Sequence, residues 1–231
     1  MELTKWTRQA LYQEQLQNKI VRCHLCPHNC TIRNEKYSIC RTRVNIDGTL
    51  YTVAYGNPCS ANIDPIEKKP LFHFLPGSKI FSIATAGCNF KCLNCQNWEI
   101  SQSSPQELSH YDLPPEAVIE LAAKNNITSI AFTYTEPTVF YEYVYDTAKL
   151  AHEKNIKTVI VSNGYINDKP LLELCQYLDA ANIDLKCIDD QIYRNLTGGK
   201  LQPVLNSLQI LQKQGVWLEI TNLIVPTYSD A

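Results

Sequence analysis

The sequence lacks any surplus of charge of one sign: across 231 residues, 21 Lys and Arg oppose 23 Asp and Glu, leaving a formal net charge of −2. Without a basic surplus there is no strong attraction to phosphate backbones or anionic lipid, so nucleic acid and membrane surfaces are not expected as partners. No apolar run approaches the roughly 20 residues of a membrane-spanning helix. The opening segment, MELTKWTRQALYQEQLQNK, is too polar for a secretory signal. Repeats, low-complexity tracts and long flexible linkers are absent as well. These absences point to a cytoplasmic chain of one sizeable domain, or one domain with an appendage.

Cysteine, by contrast, is abundant. Ten are present: Cys23, Cys26, Cys30 and Cys40 form one group, Cys88, Cys92 and Cys95 a second, and Cys59, Cys175 and Cys187 stand alone. A chain this long builds a core without disulfide staples, and thiols two or three residues apart suit a shared metal better than separate bridges. The three isolated cysteines read as packed thiols.

Residues 1–78 read as an N-terminal appendage. Leu3, Trp6, Ala10, Leu11, Leu16 and Ile20 suggest an amphipathic helix over 3–20. The first cysteine group follows, then a hairpin in VNIDGTLYTVAY, turned at Asp47-Gly48. Residues 57–77, with four prolines and no period, read as a connecting loop, in which Lys68 and Lys69 are expected to be a solvated pair.

Residues 79–231 alternate apolar strands (79–87, 129–134, 157–164, 180–187, 216–225) with helices (115–125, 137–154, 168–178, 201–214). Short strands apolar on both faces predict a parallel sheet covered by helices, either open and doubly wound or curling towards a barrel. The chain stops after the fifth strand, so a truncated barrel or dependence on a partner is expected.

Ligands in such sheets collect at the carboxyl ends of the strands, where AGCNFKCLNCQNW lies. Cys88, Cys92 and Cys95 supply three thiolates on one loop with no fourth nearby, whereas structural zinc and ordinary four-iron clusters use four ligands. Three would leave one iron open to a non-protein ligand; a structural knuckle completed by a distant residue is the competing reading. Cys23-x2-Cys26-x3-Cys30-x9-Cys40 resembles zinc and iron–sulfur knuckles without matching one pattern, with His24 and His28 as spare ligands. A set of reduced buried thiols is the alternative there.

C-x3-C-x2-C directly after the first strand of a βα array resembles the radical S-adenosylmethionine (SAM) superfamily. DPIEKKPLFHFLPGSKIFSIATAGCNFKCLNCQNWEISQ is similar to the radical enzymes of the AmmeMemoRadiSam system, relatives of the pyruvate formate-lyase activating enzymes, and RCHLCPHNC, TYTEPT and YRNLTGGKLQPVLNSL fit the same family. The resemblance implies a partial (β/α)6 barrel in which Cys88, Cys92 and Cys95 hold a [4Fe–4S] cluster whose open iron binds SAM. It further implies reductive cleavage of SAM to a 5′-deoxyadenosyl radical that abstracts hydrogen from a metabolite or partner protein. By the same resemblance, Asp184 and Lys186 would contact the ribose and the methionine carboxylate, and Ser162-Asn163 and Glu136 complete the SAM site. Tyr134-Thr135 precede Glu136 where many relatives have Gly-Gly. A flavodoxin- or ferredoxin-type reductant and small companion proteins are the implied partners. Two other classes compete: a two-cluster electron carrier, and an interaction module stapled by zinc.

Overall fold

The computed structural model describes residues 3–229. The N-terminal part is built from six short strands: β1 (Arg8–Gln9), β2 (Gln13–Gln15), β3 (Val21–Cys23), β4 (Thr31–Ile32), β5 (Arg43–Ile46) and β6 (Thr49–Thr52). They form two small sheets, β1-β6-β5 and β2-β3-β4, antiparallel throughout. The helix expected over 3–20 is therefore replaced by strands and a 3-10 turn at Gln17–Lys19. Tyr12, Asn18 and Lys19 adopt φ of 54°, 58° and 57°, which no right-handed helix accommodates. Leu3 and Leu11, taken as part of an apolar stripe, are exposed. The Leu11 N–H donates to the Glu142 carboxylate at 2.8 Å, and Arg8 and Gln9 pair with Thr52 and Tyr51. Non-local pairing overrides the local period here. The hairpin expectation holds: Asp47 (φ 54°) and Gly48 (φ 85°) turn β5 into β6, both with the positive φ that a two-residue hairpin loop needs.

The segment expected to be a loop carries β7 (Ser60–Pro65), which runs antiparallel to β8 (Lys79–Ala84) from Ser60↔Ala84 to Pro65↔Lys79. Its proline ends the strand on a sheet edge, where a missing N–H costs little. The main sheet thus takes a strand from ahead of residue 79. Lys69 is not solvated as expected. It is fully buried, with Nζ 2.7 Å from the Asp64 carboxylate, while Lys68, itself exposed, meets the other Asp64 oxygen at 2.9 Å.

The chain continues through α1 (Trp98–Ser101), α2 (Pro115–Lys124), β9 (Ser129–Phe132), α3 (Tyr141–Glu153), β10 (Lys157–Ser162), α4 (Asp168–Leu174), β11 (Ala180–Asp184), α5 (Asp190–Thr197), α6 (Leu201–Lys213) and β12 (Trp217–Thr221). The six-stranded sheet has the order β12-β11-β10-β9-β8-β7, with β8 to β12 all parallel. Strand order never reverses along the parallel run, so there is no topological switch point. Right-handed crossovers then place the connecting helices on one side, the arrangement of a partial barrel rather than a doubly wound layer. Ile80, Ile83, Ile130, Phe132, Val159, Ile160, Ala181 and Ile183 are buried along these strands. Tyr141, Tyr143, Val144, Ala148 and Ala151 of α3 are buried as well.

The N-terminal sheets are fastened to this layer by a buried ion pair. Arg43 Nη2 lies 2.9 and 2.7 Å from the two Glu142 oxygens, and the side chains are 1% and 6% exposed. Among the described residues, no helix is long and apolar enough to cross a membrane.

Candidate metal and cofactor site

The parallel register brings the carboxyl ends of β8, β9, β10 and β11 to one edge of the sheet. The residues singled out in the sequence follow those ends. Cys88 comes four residues after β8, Glu136 four after β9, Ser162 and Asn163 close β10, and Asp184 and Lys186 close β11.

The Cys88–Cys95 loop is short of regular structure and is held from three sides. Gly87, at φ 97°, is required on two counts: the φ itself, and a Cβ that would lie 2.5 Å from Thr42 Cγ2 and 2.6 Å from the Cys40 carbonyl oxygen. From the other side, the Lys91 and Leu93 N–H groups donate to the Thr197 and Leu196 carbonyls at 2.8 and 3.0 Å. Gly199 admits the Phe90 ring, which a Cβ would meet at 2.2 Å. The loop is thereby clamped by α5 and the Gly-Gly after it. Sequence reading left α5 unassigned, although Asp189 as its cap (Ile192 N–H to Oδ1, 2.8 Å) and Gly198 just past its end (φ 77°) were signals for it.

Around the thiols, the Phe90 N–H points at Cys88 Sγ (3.3 Å), and Asn163 Nδ2 lies 3.9 Å from the same sulfur while donating to Asn89 Oδ1 at 2.8 Å. Cys95 Sγ is 3.3 Å from the Ser101 hydroxyl. Burial drives the Cys88 thiol well above its ordinary pKa, and Cys92 is pushed up to about 11 by burial, with Lys186 acting in the opposite direction. Lys186 Nζ sits 2.7 Å from Asp184 Oδ2. Burial disfavours its charge, but Asp184 and then Cys92 and Cys88 hold its pKa above the usual lysine value. One cation thus serves a carboxylate and two of the thiols.

Glu136 differs from an open ligand. Its Oε1 accepts from the Thr138 N–H (3.0 Å), the Thr138 hydroxyl (2.7 Å) and the Ser162 hydroxyl (2.8 Å), and Oε2 accepts from the Asn163 N–H (2.8 Å). Burial raises its pKa, and these four bonds oppose the rise. The carboxylate latches the end of β9 to the end of β10, and only Oε2 keeps a lone pair to spare. Tyr134, standing in the Gly-Gly position, takes φ 63°, a left-handed conformation rare for an aromatic residue. Its hydroxyl donates to Asp64 and its ring lies 4.2 Å from Lys69 Nζ, which holds it there.

Among the described residues, no three His, Cys, Asp or Glu side chains converge tightly enough for one metal ion. A cubane cluster places each thiolate on a different iron, so its ligands stand further apart than those of single zinc. The donor set, three thiols on one loop, is that of a cluster with one iron left to another ligand. A second observation fits the same group. The Tyr193 hydroxyl is fully buried with no hydrogen-bond partner of normal geometry, close to the Lys186 backbone and within electrostatic reach of Cys92, Asp184 and Glu136. Such a proton needs an acceptor, and sulfur or cofactor oxygen in this space would supply one. Composition and spacing gave no sign of Tyr193.

The other cysteine group also comes together. Cys23, Cys26, Cys30 and Cys40 line one cavity with His28, Arg43 and Asn89. His24 turns away to Glu14 (3.0 Å), and the His28 ring bonds the Asn89 carbonyl at 2.8 Å. Cys175 and Cys187 are buried and Cys59 is half-buried.

The sequence profile of the radical SAM superfamily matches residues 82–231. The chain belongs to the radical SAM superfamily, and its class is that of a radical SAM enzyme. An uncharacterized protein of Methanocaldococcus jannaschii is 48% identical over 96% of this chain and 66% of its own length. A second uncharacterized protein of that organism is 25% identical over 100% of this chain and 64% of its own length, so the chain spans just under two thirds of either relative. Pyruvate formate-lyase 1-activating enzyme of Escherichia coli is 27% identical over 62% of this chain and 60% of its own length. In fold alone, the chain is similar to a radical SAM methyltransferase from Sphaerobacter thermophilus, with a TM-score of 0.51 and 14% identity over 68% of this chain and 51% of that one.

Proposed function

We propose that this chain carries the cluster- and cofactor-binding part of a radical SAM enzyme acting on a partner protein, in the manner of activating enzymes. The observation that carries the reading is the gathering of Cys88, Cys92, Asn163 and the Asp184–Lys186 pair at one end of a parallel sheet. Cys88, Cys92 and Cys95 would hold a [4Fe–4S] cluster there, which would supply the one-electron chemistry of SAM cleavage and hydrogen abstraction.

The chain's own residues perform the rest. Lys186, partly exposed and already paired, exchanges part of its interaction with Asp184 for the methionine carboxylate, and Asp184 is freed to accept from ribose hydroxyls. The Glu136 latch fixes Ser162 and Asn163, and its Oε2, which keeps a lone pair, would accept from the amino group. The clamp from α5 holds the cysteine loop in place. The likeness to an activating enzyme supports a protein substrate. Co-operation with companion proteins of the AmmeMemoRadiSam type, and reduction by a flavodoxin or ferredoxin, belong to the same reading.

The test is anaerobic: reconstituted protein with dithionite and SAM is assayed for 5′-deoxyadenosine and methionine by chromatography. The expected result is formation by the native chain and none by Cys92→Ser. Equal formation by the variant would overturn the assignment of the cysteine loop.

A further inference from the structure

Tyr193 lies in α5 with its side chain fully buried, and among the described residues no group stands in bonding geometry to its hydroxyl. Its oxygen is close to the Lys186 backbone N–H, which is itself a donor, so the phenol proton is left without a use. The two carboxylates within electrostatic reach are already engaged: Glu136 accepts four hydrogen bonds, and Asp184 is paired with Lys186. A buried O–H without an acceptor is costly, and native structures rarely retain one. Phenylalanine would fill the same space without that cost.

The helix fixes where this donor stands. Tyr193, Leu196 and Thr197 form the buried face of α5, as residues three and four apart share one side of a helix. The Thr197 hydroxyl donates back to the Tyr193 carbonyl at 2.7 Å. One turn along that face, the Leu196 and Thr197 carbonyls accept from Leu93 and Lys91, the residues on either side of Cys92. The Tyr193 ring also meets Phe90 of the same loop edge to face, with centroids 6.1 Å apart. Cys88 and Cys92 pack against the core to which Phe90 and Tyr193 belong. The helix face that grips the cysteine loop thus carries one unspent proton, on the core side of that loop.

We propose that the Tyr193 hydroxyl donates a hydrogen bond to a sulfur of the [4Fe–4S] cluster at its Cys92 corner, and so raises the reduction potential of that cluster. The inference rests on the cluster assignment made under the proposed function. A donor to sulfur stabilises the reduced cluster, which carries the additional negative charge, more than the oxidised one. Asp184 and Lys186, which would hold SAM, are partly exposed, whereas Tyr193 reaches the site from its fully buried side. Sulfur is therefore the acceptor rather than an oxygen of SAM.

The test compares the reconstituted native chain with Tyr193→Phe, which keeps the ring and removes only the hydroxyl, in potentiometric titrations followed by electron paramagnetic resonance without SAM. A lower midpoint potential is expected in the variant, with iron and sulfide content and SAM affinity as in the native chain. Incorporation of 3-fluorotyrosine in place of Tyr193, a stronger donor of nearly the same shape, should move the potential the other way, and it decides the matter should Tyr193→Phe assemble no cluster. Equal potentials would overturn the inference, and equal potentials with weakened SAM binding would give the hydroxyl to SAM instead. A native chain whose cluster responds to SAM but whose potential is indifferent to Tyr193 refutes this inference alone; a native chain that assembles no cluster refutes the proposed function with it.

Discussion

The two cysteine groups are neighbours built to opposite specifications. At the end of the parallel sheet, three thiols share their surroundings with Asp184 and Lys186, a pair still 29% and 22% exposed. Behind the N-terminal sheets, four thiols share theirs with Arg43 and Glu142, a pair sealed at 1% and 6%. An accessible pair can trade its internal contact for a ligand, whereas a sealed pair can only hold structure or tune what sits beside it. Ligand count and exposure change together: the open set suits exchange and chemistry, the closed set permanence.

Removing one ligand from each set gives the largest and most separable effects. Cys92→Ala is expected to abolish SAM cleavage while leaving any metal on the N-terminal group. Cys26→Ala leaves the SAM-responsive iron in place. Iron and sulfide analysis paired with a 5′-deoxyadenosine assay distinguishes the two; loss of the SAM-responsive iron from Cys26→Ala would erase the distinction.

Next in size are the paired charges. Arg43→Met leaves Glu142 buried and uncompensated, at a cost of about 3–5 kcal/mol. Denaturant unfolding should show that loss, and Glu142→Leu on the same background should restore most of it. Lys186→Met should barely alter stability. Instead it removes a charge-assisted bond worth roughly 1.5–3 kcal/mol, weakening SAM binding about ten- to hundredfold by calorimetry with cluster content unchanged. A stability loss at Lys186 as large as at Arg43 would break the contrast.

The smallest effect is a pH dependence beside the open site. Asp64 is opposed by its own burial, but bonds from Lys69, Tyr134 and Lys68 outweigh that and hold its pKa well below the usual carboxylate value. A depressed folded pKa means that its contribution is complete above the unfolded value, near about 3.9, and fades as pH falls towards the folded one. Thermal melts of the native chain should therefore lose stability below about pH 4 more steeply than those of Asp64→Asn. Parallel curves would show that Asp64 does not anchor Lys69 and the strained Tyr134.

The parallel strands were legible because each is a short apolar run set off by turn residues, and burial on both faces leaves little alternative. The cysteine loop was legible because its ligands are local in sequence. What was missed depends on distant partners. The apolar spacing of residues 3–20 mimicked a helix, yet pairing of Arg8 and Gln9 with β6 decided the outcome. β7 was hidden by its prolines, since only pairing with β8 makes Ser60–Pro65 a strand. Lys69 looked solvated until Asp64 was brought opposite it, and Tyr193 carried no local mark of its place beside Cys92. Glu136 was recognised by motif, but its role as a latch between strand ends emerges only from the register of β9 and β10.

The most direct measurement is electron paramagnetic resonance of the anaerobically reconstituted, dithionite-reduced chain, recorded with and without SAM. The account predicts a [4Fe–4S]+ signal of which one component shifts on adding SAM and disappears in Cys92→Ser. A cluster signal indifferent to SAM would contradict it, leaving the fold of a radical enzyme without its open iron.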